Sequence, residues 1–235
     1  MSRTAKQISY GMFYLAILAL ILVSVAPFGV QEEESPAPVS TAARQLEVRG
    51  EVTVMTAADG SVAFLGRVWN PNATYVASSF PYSFRIMRGD VVVMETPRRT
   101  GFVYPSEAVS LLEIVSSPTF AEDSSAVLDI GTPDWESSEF LVRPTLVVSR
   151  AETSSDELGV VVSGEVRNMG AVSATTVWII AFMKDTNGFP LFAAQTLLEN
   201  ISGGSFRSFF IRFPRDRGIS ERAAPDGTEI IVEAH

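Results

Sequence analysis

Few residues of this chain have the type and spacing that catalysis or metal binding requires. The sequence contains no cysteine, which excludes disulfides, thiolate metal ligands and a thiol nucleophile. Its one histidine is the last residue, His235, so neither a Ser-His-Asp triad nor a histidine metal site is expected. The sequence therefore predicts no enzyme, no cofactor and no metal centre.

Carboxylates and amides are the remaining groups that suggest chemistry. The acidic pairs in Glu122–Asp123 and Asp134–Glu136 are of the kind that a glycosidase holds across a cleft. Asp59 and the segment Asp185–Asn187 offer the oxygen ligands that Ca²⁺ prefers. Because the chain is acidic and these residues fall in predicted loops, we expect surface and turn residues rather than an active site or a metal site.

Arg98 and Arg99 form a small basic patch on a chain whose formal net charge is −9 at pH 7. Two adjacent arginines suit an anionic glycan or a lipid head group, and they equally suit a solvated strand edge that discourages aggregation. The negative charge of the whole chain repels phosphate backbones, so a nucleic-acid partner is not expected.

An aromatic run, Ser205–Phe213, gives the best indication of a binding surface. In a strand, successive side chains point to opposite faces. Every second residue from Phe209 to Phe213 then shares one face, which we expect to be core, whereas Phe206 and Phe210 lie outside it. Exposed aromatic patches often mark partner surfaces. The predicted interaction surface comprises Phe206, Phe210, Arg98 and Arg99.

The elements that must position these residues begin with twenty uncharged residues, Gly11–Val30. As a helix this stretch is about 30 Å long, which matches the hydrocarbon core of a bilayer. Two basic residues precede it and three glutamates follow it, so the positive-inside rule predicts a cytoplasmic N-terminus. We expect residues 1–9 in the cytoplasm, an uncleaved transmembrane helix at residues 10–30, and the rest of the chain outside the cell membrane. A cleaved signal peptide ending near Ala26 is the alternative.

The rest of the chain divides into a linker and two copies of one pattern. Residues 31–45 are rich in Glu, Ser, Pro and Ala, which predicts an extended linker. Beyond it, short β-branched and aromatic runs alternate with turn signals, and the sequence repeats at an offset of 98 residues with seven identities over residues 62–115. We therefore predict an all-β fold with two tandem immunoglobulin-like β-sandwich domains, residues 46–143 and 144–235, after one N-terminal transmembrane α-helix.

The repeated motif is a strand that ends in asparagine, Gly66–Asn70 in the first copy and Gly164–Asn168 in the second. Asparagine hydrogen-bonds nearby backbone and stops a strand, and glycine inside a strand marks a bulge or a close backbone approach. In the second copy, Asp185–Gly188 predicts a type I′ hairpin turn. We expect Trp178 to lie in the core and Trp135 to pack between the two copies.

This pattern of Gly-x-Val-x-Asn, a polar loop and an aromatic strand leading into an Asp-x-x-Gly turn resembles the FxLYD domain. That is an immunoglobulin-like domain of bacterial envelope proteins, broadly similar to the LEA-type sandwich. The resemblance extends over about 190 residues, and the whole chain looks like a group of single-span bacterial membrane proteins. It implies a sandwich fold at the cell envelope and brings no catalytic residues with it.

These features predict a membrane-anchored extracytoplasmic protein that binds or scaffolds an envelope protein, or that mediates adhesion. The expected partners are the membrane, through residues 11–30, and an envelope protein. The alternative is a structural subunit of a membrane-embedded assembly of the pilus or secretion type, in which small residues such as Gly11, Ala16 and Ala19 pack the helix against others. Fold alone assigns no activity.

Overall fold

The computed structural model describes residues 42–116, 123–156 and 159–234, and Ala43–His235 form one compact unit. These residues are all-β and their sheets are antiparallel, as the sequence predicts. The strands are β1 (Glu47–Val48), β2 (Thr53–Thr56), β3 (Ser61–Trp69), β4 (Tyr75–Arg88), β5 (Val91–Glu95), β6 (Arg99–Val103), β7 (Ala108–Ser116), β8 (Ser124–Ile130), β9 (Asp134–Ser137), β10 (Leu146–Asp156), β11 (Gly159–Asn168), β12 (Ala174–Asp185), β13 (Pro190–Ile201), β14 (Phe206–Arg212) and β15 (Ala223–Ala234). A short helix, α1 (Arg217–Arg222), precedes β15.

The first half of this unit, β1 to β9, contains two sheets. In one sheet β3 is central, with β1 and β2 along one edge and β7 along the other. In the other sheet the long strand β4 is central. Its residues pair with β5 and β6 on one side and with β8 and β9 on the opposite side.

The second half, β10 to β15, repeats this arrangement with fewer breaks. One sheet has the order β10-β11-β14 and corresponds to the sheet around β3, whereas β13-β12-β15 corresponds to the sheet around β4. The pairing register also repeats. Gly66 lies opposite Leu111, and Gly164 lies opposite Phe209, each 98 residues further along the chain. The sequence offset therefore holds in the backbone pairing of β3 with β7 and of β11 with β14.

Alternating residues of β3 form part of the core of the first half. Val62, Phe64 and Val68 are buried in one cluster with side chains of β4. The rings of Phe64 and Phe84 stack with their centroids 5.9 Å apart, so the two sheets contribute to one core as in a β-sandwich.

The two halves pack side by side, because the opposite face of β3 is buried as well. Met55, Ala57, Ala63 and Leu112 of the first half belong to the same buried cluster as the core of the second half. Strand β12 is buried on both faces, which explains its unbroken apolar run Val177–Met183. An amphipathic strand would alternate, whereas a strand covered on both sides reads as continuous apolar sequence.

Among the described residues, three hydrogen bonds join the halves at this junction. The backbone N–H of Ala58 donates to Oδ2 of Asp216 at 2.7 Å. The other two bonds reach the outer edge of β7, because among the described strands β7 pairs only with β3. The side chain of Gln195 donates to the carbonyl of Leu112 at 3.0 Å. The N–H of Ser110 donates to the Glu233 carboxylate at 3.2 Å.

Buried asparagines close the same loop in both halves. Asn168 is fully buried, and its Nδ2 donates to the carbonyls of Val172 at 2.7 Å and Ile201 at 3.0 Å, while its Oδ1 accepts from the N–H of Gly170 at 3.0 Å. The side chain thus ties the end of β11 to the start of β12 and the end of β13.

Asn70 makes the equivalent contacts in the first half. Its Nδ2 donates to the carbonyls of Tyr75 and Val103, and its Oδ1 accepts from the N–H of Asn72 at 3.0 Å. The predicted role of these residues as strand ends is confirmed. Asn72 begins the triplet Asn72-Ala73-Thr74, which matches the N-glycosylation motif. Its side chain is buried, and its amide donates to the carbonyl of Arg44 and to Oδ1 of Asn70.

The repeated glycines lie where the backbone approaches a side chain, as predicted. A Cβ on Gly66 would lie 2.7 Å from Cδ2 of Leu128, and one on Gly164 would lie 2.9 Å from two ring atoms of Phe209. Real Cβ atoms do not approach so closely, and a larger residue would force the core apart.

The hairpin at Asp185–Gly188 is present, but the predicted type I′ turn is wrong. A type I′ turn needs positive φ at both central residues, and among the described non-glycine residues only Ser106, Arg150 and Asn200 have positive φ. Gly188 has φ +82° and its N–H donates to the carbonyl of Asp185, as in a type I turn that ends in a glycine bulge.

The predicted transmembrane helix, residues 10–30, lies outside the described residues. Within the part of the chain that is described, no helix has the length and apolar character needed to span a bilayer.

Candidate interaction surfaces

The outer face of β14 carries two exposed aromatic side chains. Phe209 and Ile211 are buried, whereas Phe206 and Phe210 are 57% and 70% exposed. Alternation along the strand produces this pattern, as the sequence predicts. The inward residues already fill the core, so folding does not account for phenylalanines on the outer face.

Polar and charged residues accompany these aromatic rings. Phe206 lies opposite Arg167 on β11, and Phe210 lies opposite Ser163. Between them Ser208 lies opposite Glu165, whose carboxylate pairs with Arg150 at 3.0 Å. We call the surface formed by Phe206, Ser208 and Phe210 with Arg167 the β14 face. An apolar patch with a polar rim is typical of protein-binding surfaces.

Arg99 is engaged within the fold. Its guanidinium forms two hydrogen bonds with Glu113, at 3.0 and 3.2 Å, and the Glu113 side chain is only 7% exposed. Burial, with the nearby Glu113 carboxylate, raises the pKa of Tyr82 to about 12. A buried carboxylate needs such a partner, so Arg99 stabilises the first half. Arg98 is exposed in the segment between β5 and β6.

The predicted site residues lie in different halves of the fold. The two arginines lie at β6 in the first half, and the two phenylalanines lie on β14 in the second half. The sequence suggested a basic patch and an exposed aromatic run, and in the structure the partner of Arg99 is the buried Glu113. The β14 face therefore stands as a separate candidate surface.

A groove between two strand edges of the first half was not predicted. It is open to solvent, with a volume of about 650 Å³ between β1–β2 and β8, and Val52, Val54, Ala126 and Leu128 line it together with Glu51, Ser124 and Ser125. Its size is in the range of small-ligand pockets. The sequence does not indicate this groove, because its width depends on how the sheet that contains β1 and β2 stacks on the sheet that contains β8.

A smaller cavity lies at the junction of the halves. Its volume is about 40 Å³, and Tyr104, Ser110, Trp178, Gln195 and Glu233 are among its lining residues. Burial raises the pKa of the Glu233 carboxyl, although the hydrogen bond from Ser110 acts in the opposite direction. The volume admits a few water molecules and no metabolite, so this cavity is part of the packing between halves.

The candidate carboxylates act mainly in turns and ion pairs. Oδ1 of Asp185 accepts hydrogen bonds from the N–H groups of Asn187 and Phe189, and Asp59 accepts one from Ser61. Asp123 forms an ion pair with Arg88 at 3.3 Å. Glu122 is outside the described residues. In the described ranges, no group of three or more acidic or histidine side chains is placed to hold a metal ion.

The tryptophans exchange their predicted places. Trp135 on β9 pairs with β4 and packs against the core of the first half, so its expected position between the copies is wrong. Trp178 is partly buried and lines the cavity at the junction, whereas we expected it inside one core. The continuous apolar run of β12 was the available signal, because it places alternate residues on both faces of a covered strand.

Comparison with known proteins adds no name to these surfaces. No protein-family model matches the chain, and no curated protein matches it.

Proposed function

We propose that this chain is a membrane-anchored extracytoplasmic interaction or scaffold protein that binds an envelope protein through its β14 face. In this proposal residues 46–143 and 144–235 are two tandem immunoglobulin-like domains of the FxLYD type. Residues 10–30 form a single transmembrane helix, and the N-terminus is cytoplasmic.

The observation that carries the proposal is the exposure of Phe206 and Phe210. Burying a phenylalanine side chain contributes about 1.5–3 kcal/mol of free energy. In the fold, Phe206 and Phe210 remain largely in water, so most of this free energy is not gained on folding. A partner that covers both rings recovers this contribution. Because β14 has a paired neighbour on one side only among the described strands, its other edge also offers backbone groups to an added strand.

The tandem-domain part of the proposal is supported by the repeated topology. The two halves share strand order, the register around Gly66 and Gly164, and the buried asparagine network. The membrane part is supported by the sequence alone, through the uncharged length of Gly11–Val30 and the charges on either side of it.

The test uses the full chain in its native membranes with a photo-crosslinking amino acid at position 206 or 210. We expect one discrete adduct of constant mass at both positions. Position 189 is the matched control, because Phe189 is equally exposed on a hairpin away from β14. The double variant Phe206→Ser, Phe210→Ser should lose stoichiometric co-purification of the same protein.

The outcomes separate the two parts of the proposal. Adducts no stronger at 206 and 210 than at 189 would refute the β14 face. Release of the chain from membranes by alkaline carbonate would refute the anchor and would leave the β14 face to be judged by the crosslinks.

A further inference from the structure

An exposed apolar turn lies in the segment between the two halves. Phe140 is 86% exposed and Val142 is 65% exposed, and Leu141 between them is also exposed. Met169 lies beside this turn, because its N–H donates to the carbonyl of Thr145 at 2.7 Å, and its side chain is exposed. We call Phe140, Leu141, Val142 and Met169 the connector patch.

The connector patch is held in place by hydrogen bonds and an ion pair. The N–H of Ser138 donates to the carbonyl of Thr74 at 2.9 Å, and the N–H of Leu141 donates to Ser138 at 3.1 Å. After the patch, Arg143 pairs with Glu107. The turn therefore projects its apolar side chains from a fixed base.

The chain enters the fold at the same end of the molecule. Arg44 exchanges two hydrogen bonds with the side chain of Asn72, from its N–H at 2.7 Å and to its carbonyl at 2.8 Å. Asn72 and Thr74 belong to the same short loop between β3 and β4. One loop thus contacts both the first described residues and the base of the connector patch.

Aromatic residues with polar atoms surround this loop. Trp69 ends β3 and Tyr75 begins β4, so they flank the loop, and both are partly exposed. Arg49 lies 3.9 Å from the centre of the Trp69 ring, and the Arg143 guanidinium lies 4.8 Å from the ring of Tyr104. Tryptophan and tyrosine are enriched at membrane–water interfaces, and arginine can keep its charged end in water while its stem lies against apolar groups.

We propose that the connector patch contacts the surface of the lipid bilayer. The inference rests on the proposed membrane anchor. If residues 10–30 cross the membrane, residues 31–41 span at most about 40 Å, so this end of the fold is within reach of the bilayer. Beside the turn, Arg143 pairs with Glu107, and Glu139 adds a negative charge next to the patch.

The chain has no cysteine, so a single cysteine reports on one position. The full chain, with Phe140→Cys or Val142→Cys and an environment-sensitive fluorophore, is reconstituted into phosphatidylcholine vesicles that contain nitroxide-labelled lipid. Phe189→Cys is the matched control, because Phe189 is exposed at a hairpin tip at the other end of the strands. We expect blue-shifted emission and nitroxide quenching at positions 140 and 142 and neither at 189.

Each other outcome overturns the proposal. Equal quenching by aqueous iodide at all three positions, with no nitroxide quenching at 140 and 142, means that the patch faces water. Shielding from both quenchers means contact between protein copies. If the chain does not remain with the vesicles after a carbonate wash, both the proposed anchor and the contact of the connector patch with lipid are refuted. If it remains but shows no nitroxide quenching at positions 140 and 142, only the lipid contact is refuted.

Discussion

Replacing Asn168 with alanine tests whether the buried asparagines hold the loops of this fold. The substitution removes the two hydrogen bonds from Nδ2 to Val172 and Ile201 and the one from the N–H of Gly170. At about 0.5–1.5 kcal/mol each, with two buried carbonyls left without this donor, the loss is about 3 kcal/mol. Such a loss is a large part of the stability of a typical domain.

The assay is urea unfolding of the full chain in mild detergent, followed by tryptophan fluorescence. With a slope of about 2–3 kcal/mol per molar urea, the midpoint should fall by about 1 M. Ser208→Ala is the control, because Ser208 is exposed on β14 and its substitution should change stability by about 0.5 kcal/mol or less. Asn70→Ala should resemble Asn168→Ala, since Asn70 makes the equivalent contacts.

A midpoint for Asn168→Ala within the range of the Ser208→Ala control would refute this reasoning. It would mean that water or backbone rearrangement satisfies the loop carbonyls without the asparagine. Equal effects of Asn70→Ala and Asn168→Ala would support the structural equivalence of the halves.

Three further predictions concern the core and the junction. Gly164→Ala should destabilise the fold by about 1–3 kcal/mol, because the new Cβ would lie 2.9 Å from the Phe209 ring; urea unfolding measures this, and an unchanged midpoint would show that the ring moves freely. Burial alone would raise the pKa of Asp216, but N–H groups of Ala58 and of α1 outweigh it and hold the pKa below its usual value. In the fold, Oδ2 of Asp216 accepts from the N–H of Ala58 and Oδ1 accepts from the N–H of Gly218, whereas an asparagine has only one such oxygen. Asp216→Asn should therefore accelerate hydrogen exchange at the Ala58 amide by a factor corresponding to about 1–3 kcal/mol. Unchanged exchange would contradict the contact. Burial raises the pKa of Glu233 in the fold, so the native state binds more protons than the unfolded state between the two pKa values, and wild-type stability falls as pH rises through that interval. Glu233→Gln should therefore flatten the profile of the urea midpoint against pH above the usual carboxyl range, and an identical slope in both proteins would refute the role of Glu233.

Local signals in the sequence were sufficient for the all-β class, for the strands of the two Gly-x-Val-x-Asn motifs and for their repeat. Alternation identified the inward side of β14, and the glycine and asparagine of each Gly-x-Val-x-Asn motif marked a close approach and a strand end. These features depend on the covalent properties of one residue and its neighbours, so a single sequence records them.

The packing of the halves was not predicted, because it depends on which sheet faces meet. Ala63 and Leu112 look like ordinary strand residues, and only the structure shows that they join the core of the second half. The exchange of roles between Trp135 and Trp178 has the same cause. The exposure of Phe206 and Phe210 could be predicted, because it follows from the alternation of side chains along β14. The ion pair of Arg99 could not, because its partner Glu113 lies on a strand of the other sheet.

The side-by-side junction has a consequence for the order in which the chain is made. The first half is complete once β7, β8 and β9 have been synthesised, but the face that contains Ala63 and Leu112 is covered only after β13 follows. At synthesis rates of about 5–20 residues per second, this delay is roughly 3–13 s. During that interval an apolar face and the edge of β7 are both open to other chains. The nascent first half is therefore the stage at which this protein depends most on a chaperone or on rapid completion of its own second half.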